Sequence, residues 1–199
     1  MKQQLVFATG NRHKLEEATG ILGDRAEIVP LANFGCNEEV PEDADTLEEN
    51  ALQKARHAYA LLGADCFADD TGLEITALGG EPGVRSARYA GDHRDSKANM
   101  LKVLQLMEGM KKREARFRCV IALIIDGDEY LFEGIVNGEI LEAAEGEGGF
   151  GYDPIFRPTG HEQSFAEMSP ALKNEISHRG KALRELGRFL NQERRRWRW

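Results

Sequence analysis

Four short polar stretches hold the side chains best equipped for chemistry: Thr9-Gly10-Asn11-Arg12-His13-Lys14, Asp69-Asp70-Thr71-Gly72, Phe150-Gly151-Tyr152-Asp153-Pro154 and Ser177-His178-Arg179-Gly180. Each sets charged or amide groups beside glycine at the expected end of a strand or start of a helix, where α/β folds gather ligand sites. In the first, Gly10 lets a ligand approach the backbone closely. The N–H groups and dipole of a helix start favour an anion there, and Lys14, one turn in, can neutralise a phosphate. The run is not a P-loop, since G-x-x-x-x-G-K-[ST] is absent. Taken alone, it is equally an ordinary turn with an asparagine cap.

Asp69 and Asp70 close a short apolar run before what reads as a Thr-Gly turn. Neighbours on a strand point to opposite faces, so the two carboxylates should not share one job. One of them can ligate magnesium or act as a base for water; the alternative is a pair of turn-capping aspartates. They are adjacent, so the D-x-D pattern of aspartyl-phosphate phosphatases is missing. Residues 37–50 are acidic and mostly a solvated face. Glu42, beside Pro41, is the exception singled out: magnesium takes one or two carboxylates plus phosphate oxygens and water, and Glu42 with Asp70 meets that need. Lys54 lies further along the following helix, where spacing alone favours solvent.

Gly146-x-Gly148-x-x-Gly151 matches G-x-G-x-x-G, but a dinucleotide fingerprint needs a helix after it and Pro154 blocks one. The glycines better serve to present Phe150, which can stack on a base, and Asp153, which can accept from a ring N–H; a core phenylalanine and a turn-forming aspartate are the plainer alternative. His178 and Arg179, with Lys173 upstream, are donors suited to a base carbonyl, although a lone His-Arg pair is usually surface. The combined inventory is phosphate donors and lysines, carboxylates for a metal, and an aromatic with donors for a flat heterocycle. That is the equipment of a metal-dependent nucleotide hydrolase.

Composition bounds the choice. The chain has 199 residues, 41% of them hydrophobic and 30% charged, with a net charge of −8 and a mean hydropathy of −0.49. That suits one domain, or two small lobes sharing a core. The acidic balance argues against a binder of nucleic-acid polymers but not against a nucleotide site, because a few lysines can reverse the field locally. Cys36, Cys66 and Cys119 are scattered, as expected of reduced cytoplasmic thiols. The first strand starts too near Met1 for a signal peptide, and no run reaches membrane-spanning length.

The elements that must position these groups follow from periodicity. A strand is predicted over 4–9, a helix from Asn11 ending near Gly23, and a strand over 26–30. Thr46-x-x-Glu49 is a capping box for a helix whose stripe is Leu47, Ala51, Ala55, Ala58 and Leu62. A brief strand over 66–69 is continued over 73–78. A loop follows over 79–95, then a helix capped by Ser96 and running to about Met107. A strand over 115–125 turns at Asp126-Gly127-Asp128 into a second over 129–137, with another over 140–144. Ser169-Pro170 opens a short helix, and a last helix from Ser177 buries Leu183, Leu186 and Leu190.

TGNRHK (Thr9 to Lys14), ENALQKA (Glu49 to Ala55), ADDTGLEI, PGVRSARYAG (Pro82 to Gly91), GGFGYDPIF (Gly148 to Phe156) and ISHRGKAL (Ile176 to Leu183) occur in the order of the inosine/xanthosine triphosphate pyrophosphatase family, which the chain resembles over nearly its whole length. The resemblance implies an elongated, mixed, twisted β-sheet flanked by helices, in two lobes with an active-site cleft between them, and a homodimer. It implies magnesium-dependent hydrolysis of ITP, dITP or XTP to monophosphate and pyrophosphate in the cytoplasm. Thr9, Gly10, Asn11, Arg12, His13 and Lys14 take the role of phosphate cradle, Asp70 of catalytic base or metal carboxylate, Glu42 of second metal carboxylate with Asp69 a further candidate, Thr71 of substrate contact and Lys54 of triphosphate ligand. Phe150, Gly151, Tyr152, Asp153, Lys173, His178 and Arg179 take the role of base pocket. The basic tail over 192–199 has no family counterpart and is expected to be a disordered end or an anion-sticky patch. Two other readings stay open: a septum-inhibitor-like pyrophosphatase of different base specificity, and a nucleotide-binding regulator without turnover.

Overall fold

The computed structural model describes residues 2–35, 40 and 42–196, the side chains of 193–196 excepted. In chain order the elements are β1 (Gln3–Phe7), α1 (Arg12–Leu22), β2 (Ala26–Pro30), α2 (Leu47–Leu62), β3 (Cys66–Ile75), β4 (Pro82–Gly83), α3 (Ser96–Leu106), β5 (Glu114–Ile125), β6 (Asp128–Ile140), β7 (Phe156–Pro158), α4 (Pro170–Ile176) and α5 (His178–Arg196), with short 3₁₀ turns between some of them. Sheet order is β2-β1-β3-β5-β6-β7, with β4 paired to β3. The β1 pairings with β2 and β3 are parallel, as strands joined through α1 and α2 must be. β5 and β6 form a hairpin through Asp126 and Gly127, both at positive φ, the backbone that a two-residue turn between twisted strands requires.

The chain divides into two compact units: Met1–Asp70, Cys119–Gly134 and Arg179–Trp199 make the first, Thr71–Arg118 and Ile135–His178 the second. The first is centred on Leu5, Phe7, Phe67, Ile121, Leu183 and Leu186, with the Phe7 and Phe67 rings stacked at 4.2 Å. The second is centred on Leu73, Ile75, Phe117, Phe156 and Phe165. The apolar runs and stripes read from the sequence supply most of these residues, including the 183/186/190 face of α5, while Phe156 and Phe165 lie in no predicted element.

Several caps fall where the residue types placed them. Asn11 caps α1, Thr46 accepts from the Glu49 N–H, and Ser169 caps α4 with proline following. Three expectations are corrected. The α3 cap is Asp95, which accepts from Lys97 and Ala98, and Ser96 is the first helical residue. The strand expected over 140–144 does not form, since β6 itself runs to Ile140. There is no Thr71-Gly72 turn: β3 passes unbroken through Asp69, Asp70, Thr71 and Gly72. Glycine is needed at 72 because a Cβ there would lie 2.7 Å from the Gly83 carbonyl oxygen on β4. The α5 backbone is helical to Arg196, within the expected tail; 197–199, Cys36, Glu38 and Glu39 lie outside the described residues.

Candidate active site

In the first unit, β3 delivers two consecutive carboxylates to two separate environments, as alternation along a strand demands. Asp70 accepts from Asn50 Nδ2 at 3.1 Å and Lys54 Nζ at 3.4 Å. Lys54 also donates to Glu42 at 2.6 Å. Asn50 and Lys54 are one turn apart on α2. The same Asn50 amide accepts from the Ala44 N–H at 3.0 Å and so ties down the segment that carries Glu42. The spacing-based expectation that Lys54 is solvated is overturned: it is 8% exposed. Burial alone would lower its pKa, but Asp70, Glu42 and Asp69 raise it above the ordinary lysine value. Burial pushes Asp70 up, Lys54 and Lys14 pull it down, and Glu42 and Asp69 push it up again; the net shift is upward.

Asp69 faces other partners. It accepts from Lys14 Nζ at 3.0 Å and from Arg179 Nε at 3.1 Å, and the Cys119 thiol lies 3.8 Å from its second oxygen. Its burial would raise the pKa, yet Lys14, Arg179 and Lys54 hold it well below the carboxylate range. Arg179 also donates to Glu17 Oε2 at 2.7 Å. At 2% exposure, with its guanidinium edges given to Asp69 and Glu17, Arg179 is an internal ion-pair partner in this structure, where the sequence suggested a reader of base carbonyls. Burial opposes its charge, but Asp69 and Glu17 raise its pKa further.

The start of α1 is only partly as expected. Asn11 Oδ1 accepts from the backbone N–H groups of His13 and Lys14, and Thr9 Oγ1 accepts from that of Asn11. Three amides that an anion would use therefore have side-chain acceptors already. Gly10 opens on free space, with nothing within 4 Å of where a Cβ would sit. Arg12 and His13 are exposed, and Arg12 pairs with Glu16 on the helix surface.

In the second unit, Lys173 Nζ donates to Asp153 Oδ2 at 2.7 Å, and the same oxygen accepts from the Phe150 N–H at 2.7 Å. The Lys173 ammonium lies 4.5 Å from the centre of the Phe150 ring. His178 is buried and stacks on Phe117 at 4.7 Å. Tyr152 is buried as well, donating to the Ser86 carbonyl at 2.7 Å, and burial raises its pKa. Gly151 holds a φ of +63° at the turn between Phe150 and Tyr152, a backbone suited to glycine. Thr71 stands on β3 beside Asp70, half-buried.

Thus the structure gathers Lys14, Glu42, Lys54, Asp69, Asp70 and Arg179 in one unit, and Phe150, Tyr152, Asp153, Lys173 and His178 in the other. Asn50, Glu17 and Phe117 were missed in the sequence. Asn50 and Glu17 had a usable signal, lying four residues before Lys54 and three after Lys14 on the same helix faces; Phe117 had none. For magnesium, the donor set tests favourably but is minimal: Glu42 and Asp70 offer carboxylate oxygens around a single ammonium. Among the described residues no three His, Cys, Asp or Glu side chains form a cage.

Fold and side chains together define an α/β protein with buried acid–lysine clusters, a class suited to polyanionic ligands. Residues 5–189 match the model of the Ham1 family, and the chain belongs to that family. It is 51% identical to a dITP/XTP pyrophosphatase of Porphyromonas gingivalis, over 94% of this chain and 97% of that protein. It is 50% identical to a dITP/XTP pyrophosphatase of Christiangramia forsetii, over 95% and 100%. A HAM1 protein structure from Coxiella burnetii superposes with a TM-score of 0.88 at 39% identity, covering 96% of this chain and 99% of that one. No described helix is long and apolar enough to cross a membrane.

Proposed function

We propose that this chain hydrolyses non-standard purine nucleoside triphosphates, ITP, dITP and XTP, to the monophosphate and pyrophosphate, with magnesium, and so cleanses the nucleotide pool. The observation that carries the reading is the cluster of Asp70 on β3, Lys54 on α2 and Glu42 on the segment before α2, with Lys14 held nearby on Asp69. The names of the relatives support the substrate class.

Adjacent carboxylates pushed in opposite directions divide the labour. Asp69, held ionised by two cations, serves as a fixed counter-charge. Asp70, on the other face of the strand, takes the proton of, or orients, the water that attacks the α-phosphorus. Glu42 and Asp70 would hold the magnesium ion, which when bound would offset charge on the phosphate oxygens. Lys54 and Lys14 offset charge on the leaving pyrophosphate. Lys173 and His178 donate to the 6-oxo group of hypoxanthine or xanthine; adenine would set its 6-amino donor against theirs, a costly mismatch when buried. By the same family reading the chain works as a homodimer, which sedimentation equilibrium tests.

A panel of ITP, dITP, XTP, GTP, ATP and pyrimidine triphosphates with magnesium, scored separately for pyrophosphate and phosphate, tests the function. Pyrophosphate from the 6-oxo purines, with ATP far behind, is expected. Equal efficiency on ATP and ITP would sink the polarity argument, and binding without product would favour a regulator.

A further inference from the structure

Glu17 closes a ring of charge. Lys14 pairs with Asp69 on β3, Asp69 with Arg179 on α5, and Arg179 with Glu17. Glu17 returns the ring to α1, one turn beyond Lys14. Arg179 and Asp69 have side chains 3% and 1% exposed, Glu17 14% and Lys14 17%. The ring is thus sealed at Asp69 and Arg179 and partly open at its two α1 members, of which Lys14 is the cation able to turn to an incoming anion.

We infer that Glu17 is a positioning residue for polyphosphate binding: by fixing one edge of the Arg179 guanidinium it aims the Nε–H at Asp69, so that Asp69 keeps a cation when Lys14 leaves it for a phosphate. The inference deepens the reading of this site as a polyphosphate seat and rests on it. A planar guanidinium binds directionally: Nε serves Asp69 and Nη1 serves Glu17. With Glu17 in place, Asp69 can release Lys14 and remain paired. Without an acceptor at 17 the guanidinium loses the anchor that fixes its Nη1 edge, Asp69 leans more heavily on Lys14, and the lysine is less available to the ligand. A buried carboxylate gives up a paired cation only at a cost. Holding the surrounding groups ready is what keeps the cost of binding low.

The test uses inorganic tripolyphosphate, whose affinity can be measured by calorimetry without turnover. Glu17→Gln and Glu17→Ala remove the same charge, but only glutamine keeps an acceptor for Arg179. Positioning predicts that Glu17→Gln stays within about twofold of the parent while Glu17→Ala weakens binding about fivefold or more, within the range of coupling between linked groups. For ITP the same split should appear in KM, with kcat held. Charge alone predicts that both variants bind the polyanion equally, and more tightly than the parent; that result overturns the inference. A merely structural role would lower kcat through a smaller folded fraction and leave KM unmoved, which also overturns it. If Glu17→Ala does not fold, Glu17→Met replaces it, keeping the stem without the acceptor. Failure to hydrolyse ITP refutes the enzymatic reading while the tripolyphosphate measurement still judges Glu17; failure of the parent to bind tripolyphosphate at all removes both.

Discussion

Lys173→Met should be among the most damaging single changes in the second unit. Its ammonium sits 2.7 Å from Asp153 Oδ2, with the two side chains 8% and 5% exposed, so methionine of similar length leaves a buried carboxylate without its ion-pair cation. Removing one member of such a pair costs about 3–5 kcal/mol, and losing the ammonium over Phe150 adds to it. At about 2–4 °C per kcal/mol for a chain of this size, the melting temperature should fall by roughly 6–20 °C. The cause can be isolated by adding Asp153→Asn. Asparagine still accepts from the Phe150 N–H but no longer needs a cation, and a buried pair replaced as a whole is often near neutral. The double variant should therefore recover most of the loss. Urea unfolding followed by circular dichroism and fluorescence provides the comparison. A single variant within about 1 kcal/mol of the parent, or a double variant no more stable than the single, would refute the reasoning that the buried charge sets the cost.

Asp70→Asn should lower turnover by about 10²- to 10⁴-fold, the usual worth of a general base, while ITP binding persists; unchanged kcat would remove Asp70 from the mechanism. The same variant tests its upward shift. An acid whose folded pKa is raised binds more protons folded than unfolded, so it opposes folding above that pKa and ceases to do so as pH falls below its unfolded value. In chelator, Asp70→Asn should thus be the more stable protein near pH 7, with the advantage shrinking towards about pH 3; a lower midpoint at neutral pH contradicts this. Gly72→Ala should fold poorly, because its Cβ meets the backbone oxygen of Gly83 at 2.7 Å and overpacking of this kind costs about 1–3 kcal/mol or more; a parent-like melting curve would contradict the close-approach argument. Ser86→Ala should cost about 1–3 kcal/mol by orphaning the buried Leu73 N–H that its hydroxyl accepts at 2.9 Å, measured by urea unfolding.

What the sequence disclosed is mostly what local rules govern. The caps at Asn11, Thr46 and Ser169 depend on residues within one helical turn. The separation of Asp69 from Asp70 needs only strand alternation. Misreadings came where a distant partner decided the outcome. Gly72 resembles a turn glycine in isolation, and only the passage of β4 explains it. Lys54 has the spacing of a surface lysine, but two acids from separate segments draw it inside. The ion pairs of Arg179 carry no local mark, because its partners Asp69 and Glu17 lie far back in the chain.

Asn50 has a consequence for how such a protein can change. A single carboxamide grips Asp70 with its nitrogen and the backbone of Ala44 with its oxygen, so the two acids that flank Lys54 are mechanically yoked. Neither can be relocated alone while that amide stays intact. A descendant adapted to a ligand of different shape or charge would have to shift both acids in concert or first abandon the asparagine.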